Sequence, residues 1–196
     1  MLHAFDIDGT LVRSFLREGA PLADFDLVEL LEHRRGVLVE TREHARRASI
    51  ACPMVLVTNQ GGVALGYQSE QQVAEKIRRV REALGWTWAI TDVIKTRPLL
   101  GIDYFGTPWP MKTVADAQPV AYVSFGMSSS RAVDSRYWVP ELDEWRKPGP
   151  GMLLQAMHDF NALPEDTLFI GDMETDLEAA RRAGCGYMHA RDFFGC

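Results

Sequence analysis

Five short apolar runs, separated by stretches with helical periodicity, constrain this chain more than any other feature. They are LHAFDID at 2–8, PMVLVT at 53–58, AITDVIK at 89–95, TLFIGD at 167–172 and CGYMHA at 185–190. Each is brief and rich in Val, Ile, Leu or Phe, and several end in a polar or glycine cluster, the pattern of parallel strands buried on both faces. Between them, SEQQVAEKIRRVREALG at 69–85 places Ser69 and Gln72 at capping-box spacing and repeats Val73, Ile77, Val80 and Leu84 on one face, with Gly85 as its stop. A second helix is expected from Pro150, with Met152, Leu153, Ala156, Met157 and Phe160 facing inward, and a third from about Thr175 to Ala183, ended by Gly184. The alternation predicts an α/β fold: an open parallel Rossmann-like sheet with helices on both faces, binding ligands at the carboxyl ends of its strands.

At 196 residues and 46% hydrophobic content, the chain suits a single domain spanning 1–196. The alternation lapses over 97–146, where Pro98, Gly101, Gly106, Pro108, Pro110 and several aromatics suggest an irregular insertion. A net charge of −6 and a pI near 5.4 disfavour nucleic acid as a bulk partner, because no overall positive field would hold a polyanion. No apolar run approaches the roughly 18 residues of a membrane span, and the stretch from Leu2 to Ile7 lacks the basic flank and cleavage site of a signal peptide. Cys52, Cys185 and Cys196 are widely separated and read as reduced, structural thiols of a cytoplasmic protein.

The chemistry gathers where the apolar runs stop. FDIDGT puts Asp6 and Asp8 two positions apart on the same side of a strand, with Gly9 permitting a tight turn. Two converging carboxylates repel each other unless a cation or a lysine joins them, and a magnesium ion satisfies both. VTNQGG offers the Thr58 hydroxyl and the following backbone N–H groups to a phosphate oxygen, with Asn59 and Gln60 as further substrate-binding candidates. GDMETD sets Asp172 at a strand tip and Asp176 one helical turn on, while WRKPGPGM supplies Arg146 and Lys147 just before a helix.

In this order, the four segments resemble the four motifs of the haloacid dehalogenase superfamily of phosphohydrolases: Asp6 and Asp8 in the first, Thr58 in the second, Lys147 in the third, Asp172 and Asp176 in the fourth. TNQGG followed by RKPGPGM narrows the likeness to the branch that includes histidinol-phosphate phosphatase, heptose-bisphosphate phosphatase and the polynucleotide 3'-phosphatase domain. Most of that branch lacks a large cap domain, and the interval of about 50 residues between the first two motifs agrees. Some members carry a zinc loop of cysteines and a histidine before the third motif, and residues 97–146 contain neither residue type.

The resemblance implies that Asp6 attacks phosphorus and becomes an aspartyl-phosphate, while Asp8 protonates the leaving oxygen and then activates water. It implies Mg2+ held by the Asp6 carboxylate, the Asp8 backbone carbonyl and Asp172, with Asp176 behind them. Thr58, the Asn59 amide and Lys147 would bind the phosphoryl oxygens, and Arg146 would contact the substrate beyond them. The expected activity is phosphomonoester hydrolysis on a small phosphorylated metabolite. A 3'-phosphatase acting on nucleic acid ends and a noncatalytic module of the same fold are the alternatives. Oligomeric state is left open. The tryptophans, among them Trp109, Trp138 and Trp145, are expected to pack rather than bind, and the basic runs at 44–47 and 78–84 read as solvated helix faces.

Overall fold

A computed structural model describes residues 1–13, 16–17, 20–21, 27–49, 51–85, 94–96, 121–127, 132–139 and 143–195. Among these residues six strands form one sheet: β1 (Leu2–Phe5), β4 (Met54–Asn59), β5 (Ile94–Thr96), β6 (Ala121–Ser124), β7 (Thr167–Gly171) and β8 (Gly186–His189). Their spatial order is β5-β6-β4-β1-β7-β8, and every neighbouring pair is parallel. A two-residue antiparallel pair, β2 (Leu16–Arg17) with β3 (Ala20–Pro21), follows the first strand. The helices are α1 (Leu27–Arg47), α2 (Glu70–Ala83), α3 (Gly151–Asp159), α4 (Glu174–Ala183) and α5 (Ala190–Phe194).

Alternate side chains of each central strand enter opposite cores, as the period of two requires. Met54 and Leu56 of β4 join Phe5, Leu38, Val73, Ile77, Val80 and Phe194 on the face covered by α1, α2 and α5. Val55 and Val57 join Leu2, Ala4, Met152, Leu153, Phe169, Ala179 and Ala180 under α3 and α4. The capping box of Ser69 and Gln72 is formed, and Gly184 ends α4 in the left-handed conformation.

Two expectations are corrected. Ala121–Ser124 lies inside the stretch read as an irregular insertion, yet it is a fully buried strand between β5 and β4. Trp138 is exposed rather than packed, whereas Trp145 is buried and donates its indole N–H to the Val123 carbonyl at 2.9 Å. The strand expected at 89–95 is seen as Ile94–Thr96, and residues 86–93, 97–120 and Cys196 lie outside the described residues.

Candidate active site

β1, β4 and β7 end side by side at the middle of the sheet, and their carboxyl ends carry the acidic and phosphate-binding candidates. Beyond β1 the chain turns at once: Leu11 and Val12 N–H groups donate to the Ile7 carbonyl, and Gly9 N–H donates to Val12. Gly9 has φ +88°, and a Cβ there would run into the Asp172 carboxylate. The absent side chain therefore lets the first-motif turn and the tip of β7 come together. Gly171 works in the same way, since a Cβ on it would meet the Asp176 carboxylate.

Asp6, Asp172 and Asp176 each offer a carboxylate oxygen within 4.8 Å of the others. The Lys147 ammonium stands among them, 2.7 Å from Asp6 Oδ1 and 2.6 Å from Asp176 Oδ1, and donates also to the Val57 carbonyl at 3.1 Å. Lys147 is itself held through its backbone: Asn59 Nδ2 donates to its carbonyl at 2.9 Å and Asn59 Oδ1 accepts its N–H at 3.1 Å. Thr10 donates to Asp172 Oδ1 at 3.3 Å, and Asp176 Oδ2 accepts the Met173 N–H at 3.1 Å.

One ammonium facing three carboxylates leaves negative charge uncompensated in a buried place. Burial pushes Asp6 up to about 7, Lys147 pulls it down, and Asp176 adds to the rise. Burial and then Asp176 raise Asp172 as well. Burial alone would depress Lys147, but Asp6 and Asp176 outweigh it and hold the ammonium above the ordinary lysine value. Hard oxygen donors with unneutralised charge suit a small divalent cation such as Mg2+. The residues therefore fit the metal that the sequence implied, and an Asp176 oxygen lies within 4.8 Å of those of Asp6 and Asp172.

Asp8 points to a different set of partners. Lys76 Nζ lies 2.5 Å from its Oδ1 and 2.6 Å from its Oδ2, and Gln60 Nε2 donates to Oδ2 at 2.7 Å. Gln60 Nε2 reaches the buried Thr58 hydroxyl at 2.9 Å, and Gln68 donates to Gln60 Oε1 at 3.1 Å. Arg146 Nη1 donates to the Gly126 carbonyl at 2.9 Å. The side chains of Asn59, Gln60 and Arg146 are thus tied to protein partners that brace the site. Lys76 and Gln68 went unnoticed in the sequence, although Lys76 is a lysine inside the buried stripe of α2, beside Val73, Ile77 and Val80.

The HAD-hydrolase-like family model matches residues 144–188, which hold the third and fourth motifs. The first two motifs precede them in the expected order, and all four meet at one end of a parallel sheet. The chain is similar to the haloacid dehalogenase superfamily in sequence and in fold. It is 30% identical over 134 residues to a D-glycero-alpha-D-manno-heptose-1,7-bisphosphate 7-phosphatase of Burkholderia mallei, a match covering 67% of this chain and 53% of that one. To the beta-anomer 7-phosphatase of Haemophilus influenzae it is 29% identical over 166 residues, covering 83% of this chain and 71% of the relative. The chain spans about half the length of most curated relatives it matches. Among solved superfamily structures, the D,D-heptose 1,7-bisphosphate phosphatase of B. bronchiseptica, complexed with magnesium and phosphate, shares the fold: TM-score 0.55, 19% identity, 95% of this chain and 78% of that one.

Proposed function

We propose that this chain is a magnesium-dependent phosphomonoesterase that hydrolyses a small phosphorylated metabolite through a phosphorylated Asp6. The observation that carries the reading is the meeting of Asp6, Asp172, Asp176 and Lys147 around one buried point, with Asp8 and Thr58 beside it. Curated relatives named as heptose-bisphosphate 7-phosphatases favour a sugar phosphate as substrate class. Residues 97–146 hold no cysteine or histidine for a zinc loop, so the sugar need not be theirs. Free Cys52 and Cys185 are in keeping with a reducing, cytoplasmic setting. No helix among the described residues is long and apolar enough to cross a membrane.

In this mechanism an Asp6 carboxylate oxygen attacks phosphorus, the bond from phosphorus to the leaving oxygen breaks, and that oxygen takes its proton from Asp8. Water then attacks the same phosphorus, Asp8 takes a proton from it, and the Asp6 carboxylate and inorganic phosphate separate. Thr58 and Lys147 would hold phosphoryl oxygens as charge spreads over them. Mg2+, held by Asp6, Asp172 and the Asp8 carbonyl with Asp176 close by, would supply positive charge against the phosphoryl group.

The test uses p-nitrophenyl phosphate and a panel of sugar phosphates with Mg2+ present. Wild type should turn over while Asp6→Asn loses at least about a thousandfold in kcat, as removal of a nucleophile does. Equal rates for the two proteins would remove Asp6 from its role. A 3'-phosphorylated oligonucleotide preferred to every sugar phosphate would overturn the substrate class.

A further inference from the structure

Asp8 is partly exposed, with side-chain accessibility of 30%, and sits on the turn that follows β1. Exposed aspartates on turns ordinarily exchange among rotamers, yet both oxygens of this one are engaged by a side chain from a different element. Lys76 comes from the middle of α2, its side chain only 9% accessible, and it is buried on that helix together with Val73, Ile77 and Val80. Burying a lysine in an apolar stripe is costly unless a charged partner meets it. Here the partner is the group placed beside the nucleophile.

We propose that Lys76 is a positioning residue for Asp8, and that through it α2 sets how strongly the enzyme favours activated over unactivated leaving groups. The inference rests on the phosphatase reading above. Lys76 fixes the carboxyl group through two contacts, and Gln60 adds a third from the end of β4, itself steadied by Gln68. With one oxygen carrying the proton to be donated, the other still accepts from the ammonium, so the tether holds through the first step. The helix end is anchored independently: Ser69 and Gln72 cap it, and Glu70 accepts from the Tyr137 hydroxyl at 2.5 Å. The position of Asp8 is therefore inherited from a capped helix packed on the sheet.

The consequence depends on the leaving group. An alkyl oxygen needs its proton as the phosphorus–oxygen bond breaks, whereas a p-nitrophenolate departs with little help. Since kcat/KM reports steps through transfer of the phosphoryl group to Asp6, a displaced Asp8 should lower it for alkyl phosphates and spare it for aryl ones. A misplacement near 1 Å can cost about a hundredfold, and general acid help is worth roughly a hundred- to ten-thousandfold.

The experiment measures kcat/KM for p-nitrophenyl phosphate and for an active alkyl phosphate such as a hexose phosphate, in wild type and in Lys76→Met, with Mg2+ saturating. The alkyl-to-aryl ratio should fall about tenfold or more in the variant. If the ion pair served only to hold α2 on the sheet, both substrates would suffer alike, and an unchanged ratio overturns the inference. Should Lys76→Met not fold, Lys76→Gln, which keeps a shorter neutral donor, is read by the same ratio and with the same two outcomes. A wild type inactive on both substrates overturns the phosphatase reading and this inference together, whereas an active wild type with an unaltered ratio in the variant overturns this one alone.

Discussion

Lys147 shows what a single residue contributes here. It is buried, it faces two buried carboxylates at once, and its backbone is clasped on both sides by Asn59. Removing one partner of such a pair leaves charge stranded, which typically costs about 3–5 kcal/mol. Lys147→Met should lose roughly that much in urea denaturation without metal, and Mg2+ should narrow the gap because the ion neutralises the same oxygens. Overlapping metal-free curves for variant and wild type would show that the contact contributes nothing to stability. Asp6, Asp172 and Lys147 were legible in the sequence because each follows a strand or precedes a helix, and Asp176 because it lies one helical turn beyond Asp172. Lys76 was not, because helical periodicity marks which face is buried without saying what a charged residue on that face will meet.

At the scale of elements, the opposite ends of the same strands give a pH dependence unconnected with the site. His3 in β1 lies against Cys52, just before β4, with Nδ1 and Sγ 3.2 Å apart. Burial, aided by the nearby N-terminal amine, lowers its pKa from 6.5 to about 4. The unfolded chain therefore takes up this proton more readily than the native one, so the contribution is fully present above pH 6.5 and is lost as pH falls toward 4. By pH 5 the loss amounts to about 2 kcal/mol. Comparing the stability of wild type and His3→Leu from pH 7 to 5 isolates this term; parallel slopes would rule it out. Elements were legible where their pattern was strong, as in α2 and β7, and obscure where it was diluted. α1 carries Leu27, Leu30 and Leu31 at helical spacing, but Arg34 and Gly36 interrupt the apolar pattern before Leu38 and blur it. β6 is four residues long and was hidden by the prolines, glycines and aromatics around it.

For the molecule as a whole, the acidic oxygens come from β1 near one end of the chain and from β7 and α4 near the other. An ion bound there links segments that are far apart in sequence, and it binds the folded state alone. At a hundredfold excess over its dissociation constant, Mg2+ should add about 2.7 kcal/mol. That corresponds to a rise of roughly 5–10 °C in Tm for a chain of this size. Scanning calorimetry with and without Mg2+ should show the shift in wild type and its loss in Asp172→Asn. An equal shift in the variant would place the ion elsewhere.

The parallel order of the sheet also shapes how the protein is made. β1 pairs with β4 on one side and β7 on the other, in register with Met54–Leu56 and with Thr167–Ile170. During translation its second edge has no partner until residues 167–171 have left the ribosome, so one of the two central strands stays half-paired until late in synthesis. A chain stalled before that point exposes an apolar strand edge open to pairing with other chains, and nascent fragments of this protein should be clients of holding chaperones.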